Sequence, residues 1–246
     1  MNRILFERGE IAGGVVEFGG ERSRHVAEVL HGEIGQVIKT GELDGPIGTS
    51  EITAISKDAD GSWRIAARVN HGESSLEPWV DIVLAPPRPR VLKRLLPQLA
   101  AMGAGKIVLV GAKKVEKDFW GATILKPEIY RPLLVEGLMQ AGTSAVPVIE
   151  TRRNFRRFVA DELDSMFPHG ERIVAHPYGA AKEMRAAPRH GRLLLAIGPE
   201  GGWLDDEVAL LEAKLFRRFS LGRRILRTDT AAVALLARLG EGRDDG

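Results

Sequence analysis

Residues 193–232 read LLLAIGPEGGWLDDEVALLEAKLFRRFSLGRRILRTDTAA, and this stretch holds two glycine-bearing turns. Each turn falls where a strand should hand over to a helix. Leu193–Ile197 is a short, wholly apolar run, which reads as a buried strand. Gly198-Pro199-Glu200-Gly201-Gly202 then breaks regular structure, because glycine permits positive φ and lets a ligand approach the main chain. Asp205 and Asp206 suit the first turn of a helix whose apolar positions are Val208, Leu211 and Leu215. Phe219–Leu221 reads as a second brief strand, and Gly222 opens the second turn. Thr228 or Asp229 can cap a last helix carrying Val233, Leu235, Leu236 and Leu239. Loops at the carboxyl ends of strands are where an α/β sheet usually binds its ligand. Either turn taken alone reads equally as an ordinary tight turn.

Upstream, strands and helices alternate. Val80–Leu84, Lys106–Val110 and Arg172–Ala175 read as strands, and Val91–Met102 and Ile129–Gln140 as helices. That alternation implies a mostly parallel sheet covered on both faces. His71–Pro78 is polar and turn-rich, a linker by composition. Before it, Val15–Phe18, Gln36–Lys39, Ile47–Ile52 and Trp63–Val69 are β-prone. Glu21–Leu30 interrupts them as a short helix with Val26, Val29 and Leu30 on one face. Such a pattern suggests a small barrel of the OB or PUA sort, either RNA-binding or purely structural.

The chain of 246 residues has no cysteine, which excludes disulfides, thiolate metal sites and cysteine nucleophiles. We expect no metal. No apolar run reaches membrane-spanning length, and the first residues (MNRILFERGE) lack a signal-peptide core. The expectation is a soluble cytoplasmic protein. The formal charge of +2 is small, but Arg and Lys cluster at Arg88–Arg94, Arg152–Arg157 and Arg217–Arg227. Such clusters are either solvated surface or a polyanion site.

Read in order, GPEGG followed by LGRRILRTDTA (221–231) resembles the last two motifs of the SPOUT class of RNA methyltransferases, whose methyl donor is S-adenosylmethionine. Within that class the chain is most similar to the family that methylates N3 of a uridine in small-subunit (16S) ribosomal RNA. His176-Pro177 stands at the matching first-motif loop, and Glu136 and Gln140 match a family glutamate and glutamine. Arg22-Ser23-Arg24-His25-Val26 with Val29-Leu30 resembles the helix of the family's PUA-like domain. His31, Thr143 and Asp229 depart from the family pattern, as does the stretch Pro86–Lys117, so the chain reads as a divergent branch. The resemblance implies an α/β SPOUT domain with a deep trefoil knot over 80–246. It also implies a PUA-like β-barrel over 1–72, with 73–79 as linker. A homodimer acting on ribosomal RNA or the small subunit follows from it too.

The resemblance also assigns roles. Main-chain groups of Ile197, Gly198, Leu221, Gly222, Ile225 and Leu226 would grip the donor, with Gly201, Gly202 and His176 shaping the same pocket. Uracil N3 is a poor nucleophile until its proton leaves, so a base or an anion-stabilising cation is needed. Arg227 is a candidate for stabilising the base or its phosphate, or else a surface ion pair. Asp229 is a proton acceptor or a helix cap, and Glu200 a base or a loop anchor. Arg22, Arg24, His25, Arg88 and Arg90 are candidates for RNA contact. Tyr178 and Trp203 flank the loops, either to stack on a base or to lid the core. Two other readings remain open. One is a SPOUT enzyme for another RNA position, such as a tRNA ribose 2′-hydroxyl; the other is a non-catalytic RNA-binding protein of the same fold.

Overall fold

Alternating burial builds the first third of the chain. The computed structural model describes residues 3–178 and 191–241. It divides into two units, one of residues up to Leu76 together with Leu138–Val146, the other of Glu77–Gly137 and the chain from Pro147 on.

The first unit is a six-stranded sheet. Its strands are β1 (Ile4–Phe6), β2 (Ile11–Ala12), β3 (Val15–Phe18), β4 (Val37–Glu42), β5 (Ile47–Lys57) and β6 (Trp63–Glu73). Their order is β1-β4-β5-β6-β3-β2, antiparallel except for β1 against β4, and no ladder joins β1 to β2 among the described residues. In β3, Val16 and Phe18 are buried while Val15 and Glu17 face out, the period of two expected of a half-buried strand. Phe6, Phe18, Val26, Ile52 and Ile65 form the core beneath it.

Three local expectations are corrected here. The helix α1 (Gly20–Arg24) widens into a π turn over His25–Val29, with Leu30 N donating to His25 O at 3.0 Å. The wider turn rotates the apolar face, so Val26 is buried whereas Val29 and Leu30 are exposed. β6 continues to Glu73, so His71–Glu73 are strand and not linker. Ser75 beyond it is also anchored, sharing a 2.8 Å hydrogen bond with the Thr143 hydroxyl and accepting from Ser144 N.

The second unit is a parallel sheet of β7 (Val80–Leu84), β8 (Ala104–Val110), β9 (Val148–Arg152), β10 (Glu171–Ala175), β11 (Leu193–Ile197) and β12 (Arg217–Phe219). The order is β12-β10-β11-β7-β8-β9. Every residue of β7 and β11 is buried, Asp81 of β7 included, as strands covered on both faces must be. The helices are α2 (Pro89–Ala101), α3 (Pro127–Ala141), the short α4 (Phe155–Arg157) and α5 (Leu163–Met166), α6 (Asp205–Ala213) and α7 (Thr228–Gly240). α2 buries Leu92, Leu95, Leu96 and Leu99. Gly137 of α3 lies so close to it that a Cβ there would come within 2.0 Å of Pro97 O.

Two sequence expectations shift in this unit. Leu215 is not on the buried face of α6: it sits past the helix end at φ 66° and is 81% exposed. That left-handed residue reverses the chain, and Phe216 takes the buried position. β12 consequently pairs two residues earlier than Phe219–Leu221, which leaves Ser220 and Leu221 in a loop. Among the described residues no helix is long and apolar enough to cross a membrane. No group of three or more His, Asp or Glu side chains there could hold a metal ion.

Candidate functional site

Strand register decides where the loops emerge. β10 pairs with β11 through Val174 and Ala196, and with β12 through Ala175 and Phe219, all in parallel. The segments beginning at His176, Gly198 and Ser220 therefore leave the sheet from one edge. His176 N extends the ladder to Phe219 O at 3.0 Å. Together the three segments enclose a cavity of about 440 Å³.

His176, Ile197, Gly198, Gly201, Gly202, Leu221, Gly222, Ile225 and Leu226, the residues assigned to the donor from sequence, all line this cavity. Glu200, Tyr178 and Trp203 line it too. Arg227 and Asp229 are not among its lining residues.

The first loop is closed by Gly202, at φ 70°, whose N donates to Pro199 O at 2.8 Å. Gly198 faces the buried indole of Trp203, and a Cβ there would stand 3.1 Å from Trp203 N and Cδ1. Trp203 cannot easily yield, since it is buried and its ring packs at 5.1 Å on Phe155. It is a core lid.

Two residues that sequence reasoning missed hold the loop from outside. The Glu207 carboxylate, 3% exposed, accepts from Leu204 N at 2.9 Å and from Lys113 N at 2.7 Å. Lys114 Nζ donates to Gly201 O at 2.6 Å. A glutamate in the first turn of a helix after a glycine turn is a readable capping signal for Glu207. Lys114 carries no comparable local signal.

The second loop is bound more loosely. Gly222, at φ 114°, donates its N to Ser220 Oγ at 3.1 Å, and Ser220 Oγ donates to Pro177 O at 3.3 Å. Thr228 Oγ1 donates to Gly198 O at 3.4 Å, linking the two loops. Between those ties Leu221, Ile225 and Leu226 are 38, 76 and 38% exposed, an unusual run of apolar side chains beside a cavity.

The charged candidates fall into different settings. Asp229 accepts from Arg94 at 3.0 Å and from Thr230 N at 2.9 Å. Burial pushes its carboxyl up, but the Thr230 amide and the Arg94 guanidinium outweigh that and hold it below the usual range. It does not cap α7, whose N-cap position is Arg227 with no side-chain bond. Arg227 is exposed and its side chain has no hydrogen-bond or ion-pair partner among the described residues. Arg88 lies 3.7 Å from Glu200 and 3.6 Å from Glu116. Arg90 is exposed on α2.

In the first unit, Arg22 makes hydrogen bonds to both carboxylate oxygens of Glu10 and to Leu5 O, and lies over the rings of Phe6 and Phe18. Arg24 pairs with Glu21. His25 Nε2 is buried with no hydrogen-bond partner among the described residues, and burial lowers its pKa, which favours the neutral ring.

The sequence pattern of a family described as an RNA methyltransferase domain matches residues 74–240. Ribosomal RNA small subunit methyltransferase E of Treponema pallidum is 29% identical over 243 residues, covering 96% of this chain and 90% of that protein. Its namesake in Synechocystis is 30% identical over 194 residues, covering 73% and 62%. Among solved structures, ribosomal RNA small subunit methyltransferase E of Neisseria gonorrhoeae bound to S-adenosyl methionine superposes with a TM-score of 0.74. It is 18% identical, with 96% of this chain and 95% of that one covered. A Legionella pneumophila protein solved in complex with the cofactor SAM also reaches 0.74, at 22% identity and 97% and 96% coverage. These likenesses establish the shared fold.

Proposed function

The chain belongs to the RNA methyltransferase domain family, and from that premise we propose that it transfers the methyl group of S-adenosylmethionine to N3 of a uridine in 16S ribosomal RNA. The observation that carries this reading is the convergence of three loops from adjacent parallel strands on one cavity of about 440 Å³. The cavity fits the donor in chemistry as well as size. Its wall offers main chain at Gly198, Gly202 and Gly222, where no Cβ intervenes, and apolar cover at Leu221, Ile225 and Leu226. The bound sulfonium supplies an activated methyl carbon, so the protein's task is mainly alignment. Main-chain groups of Ile197, Gly198, Leu221 and Gly222 orient the purine and ribose, while Ile225 and Leu226 exclude water. Glu200, at the cavity wall, accepts the N3 proton. Arg227, with its guanidinium unengaged among the described residues, binds RNA phosphate. Arg90 and Arg24 extend RNA contact, whereas the side-chain bonds of Arg22 and the neutral ring of His25 favour structural roles.

The trefoil knot, the PUA-like character of the first unit, its limits near residue 72, the homodimer and a cytoplasmic setting belong to the same proposal. The resemblance of the motifs at 176–177, 198–202 and 221–231 supports the knot and the dimer, and that of residues 22–30 supports the PUA-like unit. The deciding experiment is nucleoside mass spectrometry of small-subunit RNA from cells with and without this gene. N3-methyluridine that disappears on deletion is the expected result. Loss of a 2′-O-methyl nucleoside instead, or no change with no donor binding in calorimetry, would refute it.

A further inference from the structure

We infer that Lys114 is the cation that stabilises the acceptor's negative charge during transfer, an assignment that rests on the uridine-N3 reading above. The lysine comes from the segment after β8, 87 residues from the turn it covers. Three features fix it there. Its stem lies on the bare face of Gly201, where a Cβ would come within 2.8 Å of Lys114 Cδ. Its Nζ donates to Gly201 O at 2.6 Å. The main chain beside it is pinned by the bond from Lys113 N to the buried Glu207 carboxylate.

Lys114 borders two hollows. One is the large cavity. The other is a cleft of about 30 Å³ walled by Pro86, Pro87 and Phe119, with Arg88 at its rim. Lys114, Pro199 and Glu200 are the residues common to both. An ammonium and a carboxylate therefore stand together at the border of both hollows.

That juxtaposition matches what the reaction needs. The N3 proton goes to the Glu200 carboxylate, leaving a uracil anion with its charge shared by O2 and O4. The N3 electron pair forms the new bond to the methyl carbon, and the carbon–sulfur bond breaks with its electrons left on sulfur. Both products are neutral at the reacting atoms. Before transfer, a Lys114 N–H aimed at O2 or O4 lowers the cost of the anion. One of the three ammonium hydrogens is used by Gly201 O, which leaves two for the acceptor. A preorganised donor of this kind is typically worth about 100-fold or more in rate.

The test uses the full-length protein with Lys114→Met and Lys114→Arg changes. Donor affinity is measured by calorimetry with S-adenosylmethionine alone. Single-turnover methylation is measured from pH 6 to pH 10 on small subunits from cells lacking the gene. Lys114→Met should lose about 100-fold in single-turnover rate near neutrality, well beyond any fall in donor affinity caused by freeing the Gly201 carbonyl. Its deficit should shrink as pH rises, because N3 then ionises unaided. Lys114→Arg should recover at least about tenfold of the loss. Donor affinity falling in step with rate, a deficit constant across pH, or an unchanged rate would overturn the assignment. A wild-type enzyme that forms no N3-methyluridine would instead remove the reading beneath it.

Discussion

The turn at 198–202 is held by the protein around it, whereas the turn at 220–227 is held chiefly at its ends. Around the first, Glu207, Lys114 and Trp203 each fix a different part: the amide of Leu204, the carbonyl of Gly201 and the side of Gly198. Around the second, Ser220 ties the start and Thr228 follows the end, while Ile225 between them stands 76% exposed. One wall of the cavity is therefore built by folding alone. The other presents apolar side chains whose burial is available to a ligand. The difference teaches where binding energy should come from: shape on one side, desolvation on the other.

The largest expected effect tests the built wall. Glu207→Ala removes the buried carboxylate shared by two main-chain N–H groups, at an expected cost of about 3 kcal/mol of folding stability. Thermal or urea unfolding reads it directly, and an unchanged midpoint would mean that water replaces the carboxylate. Next is Gly198→Val, which forces branched carbons against the packed Trp203 indole. The overpacking cost of roughly 2–3 kcal/mol should appear as about 100-fold weaker donor binding by calorimetry. A variant that still methylates fully would show that the turn does not touch the donor.

The adaptable wall should respond differently. Ile225→Ser removes an exposed apolar group, so unfolding should barely move while donor affinity falls about tenfold. Equal losses in stability and affinity would erase the contrast between the two turns. The smallest effect concerns the Arg94–Asp229 pair at the start of α7, where Arg94 is 58% exposed. Arg94→Ala should cost only about 0.5 kcal/mol near neutrality. Asp229 is held below its ordinary value, so its contribution is fully present above about pH 4. It is lost as pH falls through the lower folded value. The wild type and Arg94→Ala should therefore differ by a constant amount from pH 5 to 9 and converge in acid.

Legibility from sequence follows from how local each cause is. Leu193–Ile197 and Val80–Leu84 have the same limits in sequence and structure, because apolar runs bounded by turns, the second broken only by Asp81, leave little choice. Val148–Arg152 went unread as a strand: it lies at the sheet edge, only partly buried, with Glu150 and Arg152 diluting its pattern. The glycine turns announced the cavity, since positive φ and close approach are written into the residue itself. The ties of Glu207 to Lys113 and of Lys114 to Gly201 bridge 94 and 87 residues. No window along the chain contains both partners. Arg227 and Asp229, named from a motif, lie outside the cavity lining although Thr228, Ala231 and Leu235 of α7 are part of it, so the two belong to another side of the same turn.

The segment Leu138–Val146 bears on how this protein can be dissected. Met139, Gly142 and Ser144 offer carbonyls to Arg3 N, Arg3 Nε and Asp44 N at 3.1, 3.0 and 2.9 Å. Nine residues from the middle of the chain thus anchor the ends of strands encoded at its beginning. Severing the polypeptide after Leu76 would leave those residues on the wrong fragment, so neither half should refold cleanly when expressed by itself.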